Sequence, residues 1–337
     1  MIKVAMLGFG GIAQGHKNAH LKFEAAGRER LVAICDIRQE AFDSRVKINI
    51  DTGEPIKEGT YKTYTDLDEM LKNEEIDLID ICVPSFLHAE YATMLLGKGY
   101  NVQSEKPMSL NSADCEKILA AYRKSGKRLM IGQCLRFYSE YEYLKKIIDE
   151  KTFGNVLGVL FQRLSPLPRW SWNNWYQDFE KSGSVICDMQ IHDLDMARYL
   201  FGEPAYVECH ASTKNVKYDM AQVVLGYVFP CLSIGDWTLN GSRFSHCYRV
   251  SFEQANVEME AGKITVYPND TSVAPYHPDV PHIGGIEGEI DYYLNLLENG
   301  GENTKNPPES AAGTVRLVEA CWKSADLGGA RVKFCAE

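Results

Sequence analysis

A glycine-rich turn constrains the start of this chain more tightly than any other feature. Lys3 to Leu7 is strand-like, and Gly8-Phe9-Gly10-Gly11-Ile12-Ala13 follows it directly and opens a helical stretch from Ile12 to Ala26. The pattern G-x-G-x-x-[GA] gains meaning only in such a strand–turn–helix setting. Gly8 permits the tight turn, Gly10 lets the main chain approach a pyrophosphate, and small Ala13 lets the helix sit close on the strand. The helix N-terminus adds free N–H groups and a partial positive charge. Gly8, Phe9, Gly10, Gly11, Ile12 and Ala13 are therefore read as a dinucleotide-binding loop.

The residues that follow keep the same rhythm. Strand-like runs at Leu31 to Cys35, Leu78 to Val83, Asn101 to Ser104 and Arg128 to Gln133 alternate with helical patterns. The helical stretches are Glu40 to about Ile50, Asp66 to Asn73, His88 to Lys98 and Ser112 to Lys124. This alternation implies parallel pairing and right-handed crossovers, hence a doubly wound sheet over residues 1–135. From Phe153-Gly154 the pattern changes. Val156 to Leu164 reads as a strand, an aromatic loop leads to a helix from Gly183 to Leu200, and Tyr206 to Tyr267 is strand after strand. Helices at Glu287 to Glu298 and Pro308 to Leu327 follow. Residues 136–337 are expected to form an α+β domain with a large, mostly antiparallel open sheet.

The second strand ends in Asp36, whose carboxylate can accept hydrogen bonds from both adenosine-ribose hydroxyls and would repel a 2′-phosphate. That favours NAD over NADP. Arg38 keeps NADP open, since it could pair with the phosphate if Asp36 turned away.

Bulk properties exclude several classes. A net charge of −10 with no Lys/Arg block argues against a nucleic-acid surface. The apolar runs stop well short of the roughly 20 residues a membrane span needs. Met1-Ile2-Lys3 leads straight into a strand, which leaves no room for a signal peptide and makes the cytoplasm the default location. None of the ten cysteines forms a C-x-x-C pair, so reduced, mostly buried thiols are expected. His16 and His20 are spaced i, i+4, but the sequence shows no third ligand near them, and no metal is expected.

Three further segments resemble the Gfo/Idh/MocA family, which includes glucose–fructose oxidoreductase and inositol dehydrogenases. They are Val83-Pro84-Ser85-Phe86-Leu87-His88, the E-K-P signature within Asn101-Val102-Gln103-Ser104-Glu105-Lys106-Pro107, and the G-[GA]-x3-D-x3-H stretch from Gly183 to His192. The resemblance covers residues 1–204 and, more loosely, the terminal helix. It implies a Rossmann domain, then a domain whose sheet uses its outer face for homodimer or homotetramer contacts. It also implies oxidation or reduction of a sugar, inositol or related polyol, and a cis bond after Lys106.

Removing hydride from an alcohol carbon needs one group to take the hydroxyl proton and another to stabilise the developing alkoxide. Lys106 lies at the C-terminal end of a strand, where ligands collect in such sheets, and could hydrogen-bond the reacting oxygen. Asp188 and His192, spaced i, i+4, should share one helical face with Asp195 and Tyr199, beside an apolar stripe of Val185, Met189, Met196 and Leu200. The resemblance makes His192 the general acid/base and Asp188 a carboxylate that orients substrate. Pro84, Ser85 and His88 are read as lining the cofactor groove with Glu105 and Lys106, although His88 serves equally well as a plain helix start. Arg136 either touches the ligand or pairs with a carboxylate. Trp170, Trp172, Trp175 and Tyr176 form either a substrate lid, with Trp172 against the sugar, or a subunit contact.

The expected activity is an NAD(P)-dependent oxidoreductase acting on a sugar-like secondary alcohol or carbonyl. Two alternatives stay in view: a glycosidase that uses NAD for transient redox, and a non-catalytic dinucleotide-binding regulator.

Overall fold

The computed structural model describes residues 1–43, 48, 60–239 and 244–334. The chain divides into two compact units, the first made of Met1–Cys134, Trp170–Trp175 and Ile286–Val315, the second of the remainder.

The first unit opens with β1 (Ile2–Leu7), α1 (Ala13–Ala25), β2 (Glu29–Cys35), the short α2 (Glu40–Asp43) and β3 (Lys62–Tyr64). Then come α3 (Leu67–Asn73), β4 (Leu78–Ile81), α4 (His88–Gly97), β5 (Asn101–Glu105), α5 (Ser112–Ser125) and β6 (Leu129–Gly132). The strands pair in the order β3-β2-β1-β4-β5-β6, every neighbour parallel. Alternation along β1 supplies both faces. Ala5 and Leu7 join one core with Ile79, Ile81 and Val102, while Met6 joins Leu31, Ile34 and Ala13 on the other. Local chemistry sets the helix ends: Asp66 accepts from the Glu69 N–H at 2.8 Å, and Asn111 accepts from that of Asp114 at 2.8 Å. The helix expected to reach Ile50 is described only as far as Asp43; the rest, apart from residue 48, lies outside the described residues. Strand β3, short and at the sheet edge, was not expected from sequence.

The second unit contains α6 (Ser139–Asp149), β7 (Val156–Leu164), α7 (Phe179–Ser182), α8 (Ser184–Asp188) and α9 (Ile191–Phe201). Its other strands are β8 (Tyr206–Ser212), β9 (Met220–Gly226), β10 (Pro230–Asp236), β11 (Ser245–Phe252), β12 (Ala255–Glu260) and β13 (Lys263–Pro268). Late in the chain come α10 (Gly285–Asn299), α11 (Pro308–Asp326) and β14 (Val332–Lys333). The eight-stranded sheet has the order β13-β12-β11-β7-β10-β9-β8-β14, antiparallel except for the parallel pair β7–β10.

No single boundary at residue 135 separates the units. Helix α10 and the start of α11 belong with the first: Ile290 and Leu294 pack on Ala19 of α1, and Ala311, Ala312 and Val315 join the core beneath β4 and β5. Tyr293 donates to the Val102 carbonyl at 3.0 Å and Asn306 to that of Ile131 at 2.6 Å, which ties the segment to β5 and β6.

Candidate active site

Strands β1, β4 and β5 are neighbours and parallel, so the turns after them open on one edge of the first sheet. After β1, Gly8 has φ +91°, and a Cβ there would lie 2.7 Å from the Cys82 carbonyl, so no other residue fits the turn. Among the described residues, a Cβ on Gly10 would meet nothing within 4 Å. The loop main chain is thus bare at the point where a pyrophosphate must come close, and Ala13 is fully buried beneath the helix start. These residues fit a dinucleotide.

Asp36, 6% exposed, holds the loop from the end of β2: its Oδ2 accepts the Phe9 N–H at 2.8 Å. Its Oδ1 accepts the Arg38 N–H at 2.9 Å and Nε–H at 3.0 Å, and Arg38 Nη2 donates to Oδ2 at 3.1 Å. Arg38 therefore lies on Asp36, and the carboxylate is not turned away, as the NADP alternative requires. Asp36→Ala is expected to weaken NAD binding more than NADP binding in titrations of both. Equal losses would show that Asp36 does not read the ribose.

Beyond β4, Ser85 is buried in a single 3-10 turn. His88 begins α4, as its helix-start reading had it, and also pins two turns: Nδ1 lies 2.7 Å from the Pro107 carbonyl and Nε2 3.0 Å from that of Val83. Burial pulls its pKa down despite these contacts. Lys106, half-buried, follows β5 directly and precedes a cis Lys106–Pro107 bond. Glu105 points inward, accepting from His16 Nε2 at 2.9 Å and from the Lys106 N–H at 3.1 Å.

In the second unit the expected stripe from Asp188 to Tyr199 is broken. Helix α8 stops at Asp188 and α9 starts at Ile191, with the Gln190 N–H reaching back to the Val185 carbonyl at 2.7 Å. Asp188 and His192, both half-buried, flank this break rather than sharing one straight helix. Gln190 anchors it by donating to Ser233 Oγ on β10 at 3.0 Å. A Cβ on Gly183 would meet Cys187 at 2.5 Å and Trp322 at 2.7 Å, which explains glycine at the head of the motif.

Asp195 is not part of an open polar face. It is 1% exposed and takes Arg136 Nε and Nη2 at 2.8 and 2.7 Å, while the Tyr199 ring lies 4.8 Å from the same guanidinium. Of the two readings of Arg136, pairing with a carboxylate is the contact seen. On another side of α9, Asp193 takes Arg163 Nε at 2.9 Å, and Arg163 also donates to the Tyr141 hydroxyl at 3.0 Å. Burial raises the Asp193 pKa to about 6, against the pull of Arg163. Two arginines thus fix the helix that carries His192. Val185, Met189, Met196 and Leu200 are buried, as expected of the apolar stripe.

The aromatic loop divides. Trp175 is 9% exposed with its ring 6.3 Å from Phe86, and Tyr176 packs edge-on to Trp237 at 6.0 Å, which leaves Trp172 exposed.

Sequence reasoning missed a buried ionic cluster. Around His16 and His20 the fold gathers Asp80 and Cys82 from β4 and its end, Glu105 from β5, Glu29 from β2 and Glu289 from α10. The expectation that no third ligand lies near the two histidines is therefore corrected. The signal was Asp80, a lone carboxylate in the apolar strand Leu78-Ile79-Asp80-Ile81. The nine described cysteines form no disulfide with one another, and burial raises Cys35, Cys82 and Cys231 to about 12.

Residues 2–133 match the oxidoreductase family with an NAD-binding Rossmann fold, and residues 141–253 match the GFO/IDH/MocA C-terminal domain. Among curated relatives, myo-inositol 2-dehydrogenase of Thermotoga maritima is 28% identical over 205 residues, 60% of this chain and 55% of the relative. Glucose-6-phosphate 3-dehydrogenase of Bacillus subtilis is 31% identical over 207 residues, 60% of this chain and 54% of the relative. The chain thus spans about half the length of the curated relatives it matches. The WlbA dehydrogenase from Bordetella pertussis, solved with NADH and UDP-GlcNAcA, superposes with a TM-score of 0.82 over 100% of this chain and 98% of its own, at 19% identity. Aldose-aldose oxidoreductase from Caulobacter crescentus gives 0.81 over 98% and 99%, at 22% identity. At these identities the likeness to both is one of fold. With both halves matched in order, the chain belongs to the GFO/IDH/MocA oxidoreductase family.

Proposed function

We propose that the protein is an NAD(P)-dependent oxidoreductase that transfers hydride between the nicotinamide and a secondary alcohol or carbonyl of a sugar, inositol or related polyol. One observation carries this reading: the open Gly10 cradle and Lys106 stand on the same C-terminal edge of the first sheet, on strands separated only by β4. A bound nicotinamide supplies the hydride acceptor or donor. The residues do the rest. Gly8 to Ala13 hold the pyrophosphate on the helix start, and Asp36 receives the ribose hydroxyls. The Lys106 ammonium donates a hydrogen bond to the reacting oxygen and stabilises its negative charge. A ring nitrogen of His192 takes the hydroxyl proton in oxidation and returns it in reduction, and Asp188 orients the substrate.

The named relatives support the substrate class, since two act on inositol and glucose 6-phosphate by name. A homo-oligomer through the outer face of the second sheet fits the row Val224, Leu232 and Leu160, in register across β9, β10 and β7 and only half-buried; light scattering reads its mass. The buried, high-pKa thiols support a cytoplasmic location. The test is a screen of sugars, inositols and sugar acids at 340 nm with NAD and NADP in parallel. Absorbance that rises with at least one polyol is expected; none with either cofactor would overturn the reading.

A further inference from the structure

Four elements of the first unit contribute to an unbroken buried chain of ionisable groups. Glu29 Oε1 on β2 accepts from His20 Nδ1 at 2.9 Å, and His20 Nε2 donates to Asp80 Oδ2 on β4 at 3.0 Å. The same Asp80 oxygen accepts from His16 Nδ1 at 2.7 Å, and His16 Nε2 donates to Glu105 Oε1 on β5 at 2.9 Å. Both histidine side chains, Asp80 and Glu29 are fully buried. Each ring faces carboxylates with both nitrogens. A neutral imidazole has only one N–H, so two carboxylate partners call for the imidazolium. Burial alone would lower the pKa of both rings, but the carboxylates outweigh it and raise both, His20 to about 9.

Glu105 completes the chain at its outer end. One of its oxygens is held by His16, from the helix that opens on the dinucleotide loop. The other takes the main-chain N–H of Lys106. Glu289 lies beside it, its pKa driven up by burial and by Glu105. We propose that His16 is a positioning residue for Lys106, acting through Glu105 to lock the lysine main chain to helix α1. This rests on the reading of Lys106 as the residue that touches the reacting oxygen.

The test compares His16→Asn with His16→Gln. An asparagine amide stands in for Nδ1 and reaches towards Asp80, whereas a glutamine amide stands in for Nε2 and reaches towards Glu105. Both remove the same charge, so a purely structural role treats them alike. Positioning does not. Gln is expected to keep kcat within about threefold of the unaltered protein, and Asn to lower it by roughly 10- to 100-fold, with cofactor Kd moved less than about threefold in either. Amide exchange at Lys106, followed by NMR without substrate, should speed up in the Asn variant and not in the Gln variant. Glu105→Gln, a second route to the same break, should also speed it. In a Lys106→Ala background the difference in kcat between Asn and Gln should vanish.

Equal effects of Asn and Gln on kcat and on Lys106 exchange would overturn the proposal. So would a stoichiometric divalent ion in the purified protein that both variants lose, because His16, Glu105 and Glu289 would then be its ligands. If Lys106→Ala left turnover intact, the catalytic reading of Lys106 would fail, while the exchange contrast would still decide whether His16 governs its main chain.

Discussion

Lys106→Ala is expected to lower turnover by roughly two or more orders of magnitude while leaving NAD affinity little changed, and His192→Ala to do the same. The split follows from placement. Lys106 leaves the end of β5 and is no part of the Gly8 to Ala13 cradle, and His192 sits on a different unit from that cradle. Neither truncation removes a group that holds pyrophosphate or ribose, so binding survives while the proton and the oxygen charge lose their partners. Steady-state kinetics with cofactor titration separates the two quantities. A variant that keeps near-normal kcat would remove its residue from the mechanism, and a large rise in cofactor Kd would place it in binding instead.

The second large effect concerns stability. Asp80 lies between two imidazolium rings, at 2.7 Å from one and 3.0 Å from the other, and burial would raise its pKa were the rings not holding it well below the carboxylate range. Asp80→Asn keeps the shape and removes the charge, which leaves His16 and His20 each short of an anion in a dry core. Breaking a buried pair from one side costs about 3–5 kcal/mol. Against a total stability of about 5–15 kcal/mol, that is a large share. Denaturant unfolding reads it directly, and a loss under about 1 kcal/mol would mean that the histidines are neutral in the folded chain.

The same cluster sets a pH window. His20 rises from an ordinary 6.5 to about 9 on folding, so the folded chain holds a proton that the unfolded chain gives up first. Its contribution is complete below about pH 6.5 and is lost as pH climbs through about 9, with His16 acting in the same sense. Asp80 works in the opposite direction, its contribution fading only as pH falls below its ordinary value of 3.8. Stability should therefore decline between about pH 6.5 and 9, by up to about 1.4 kcal/mol per pH unit for each histidine. In Asp80→Asn the decline should flatten.

Much of the fold is legible because local signals and tertiary pairing agree. The glycine turn, the alternation of strands with helices and the strand-rich run after Ala205 each point one way. Strand β3 escaped because Lys62-Thr63-Tyr64 is short and lies at an exposed edge, with too few buried side chains to leave a pattern. Helix α6 escaped although Tyr141, Leu144 and Ile147 recur at helical spacing and are buried. The i, i+4 reading of Asp188 and His192 assumed a straight helix, and no residue between them announces the break. It comes from tertiary contacts, with Gln190 drawn to Ser233 on β10. Asp195 reads as part of an open polar face because the arginine that neutralises it, Arg136, is far away in sequence. A lone acid inside an apolar strand, Asp80, is the signal best worth reading: such a charge must find cations, and His16 and His20 were the pair available.

Helix α10 gives the protein an order of assembly. When residues 1–134 have left the ribosome, every strand of the first sheet exists, but Ala19 lacks Ile290 and Leu294, and the Val102 and Ile131 carbonyls still wait for Tyr293 and Asn306. Leu135–Arg169 and Tyr176–Gly285 of the second unit are translated before those partners arrive. The first unit therefore cannot close its core until much of the second has been made, and a shuffled chimera joined at residue 135 would pair its β1–β6 sheet with packing partners taken from the other parent.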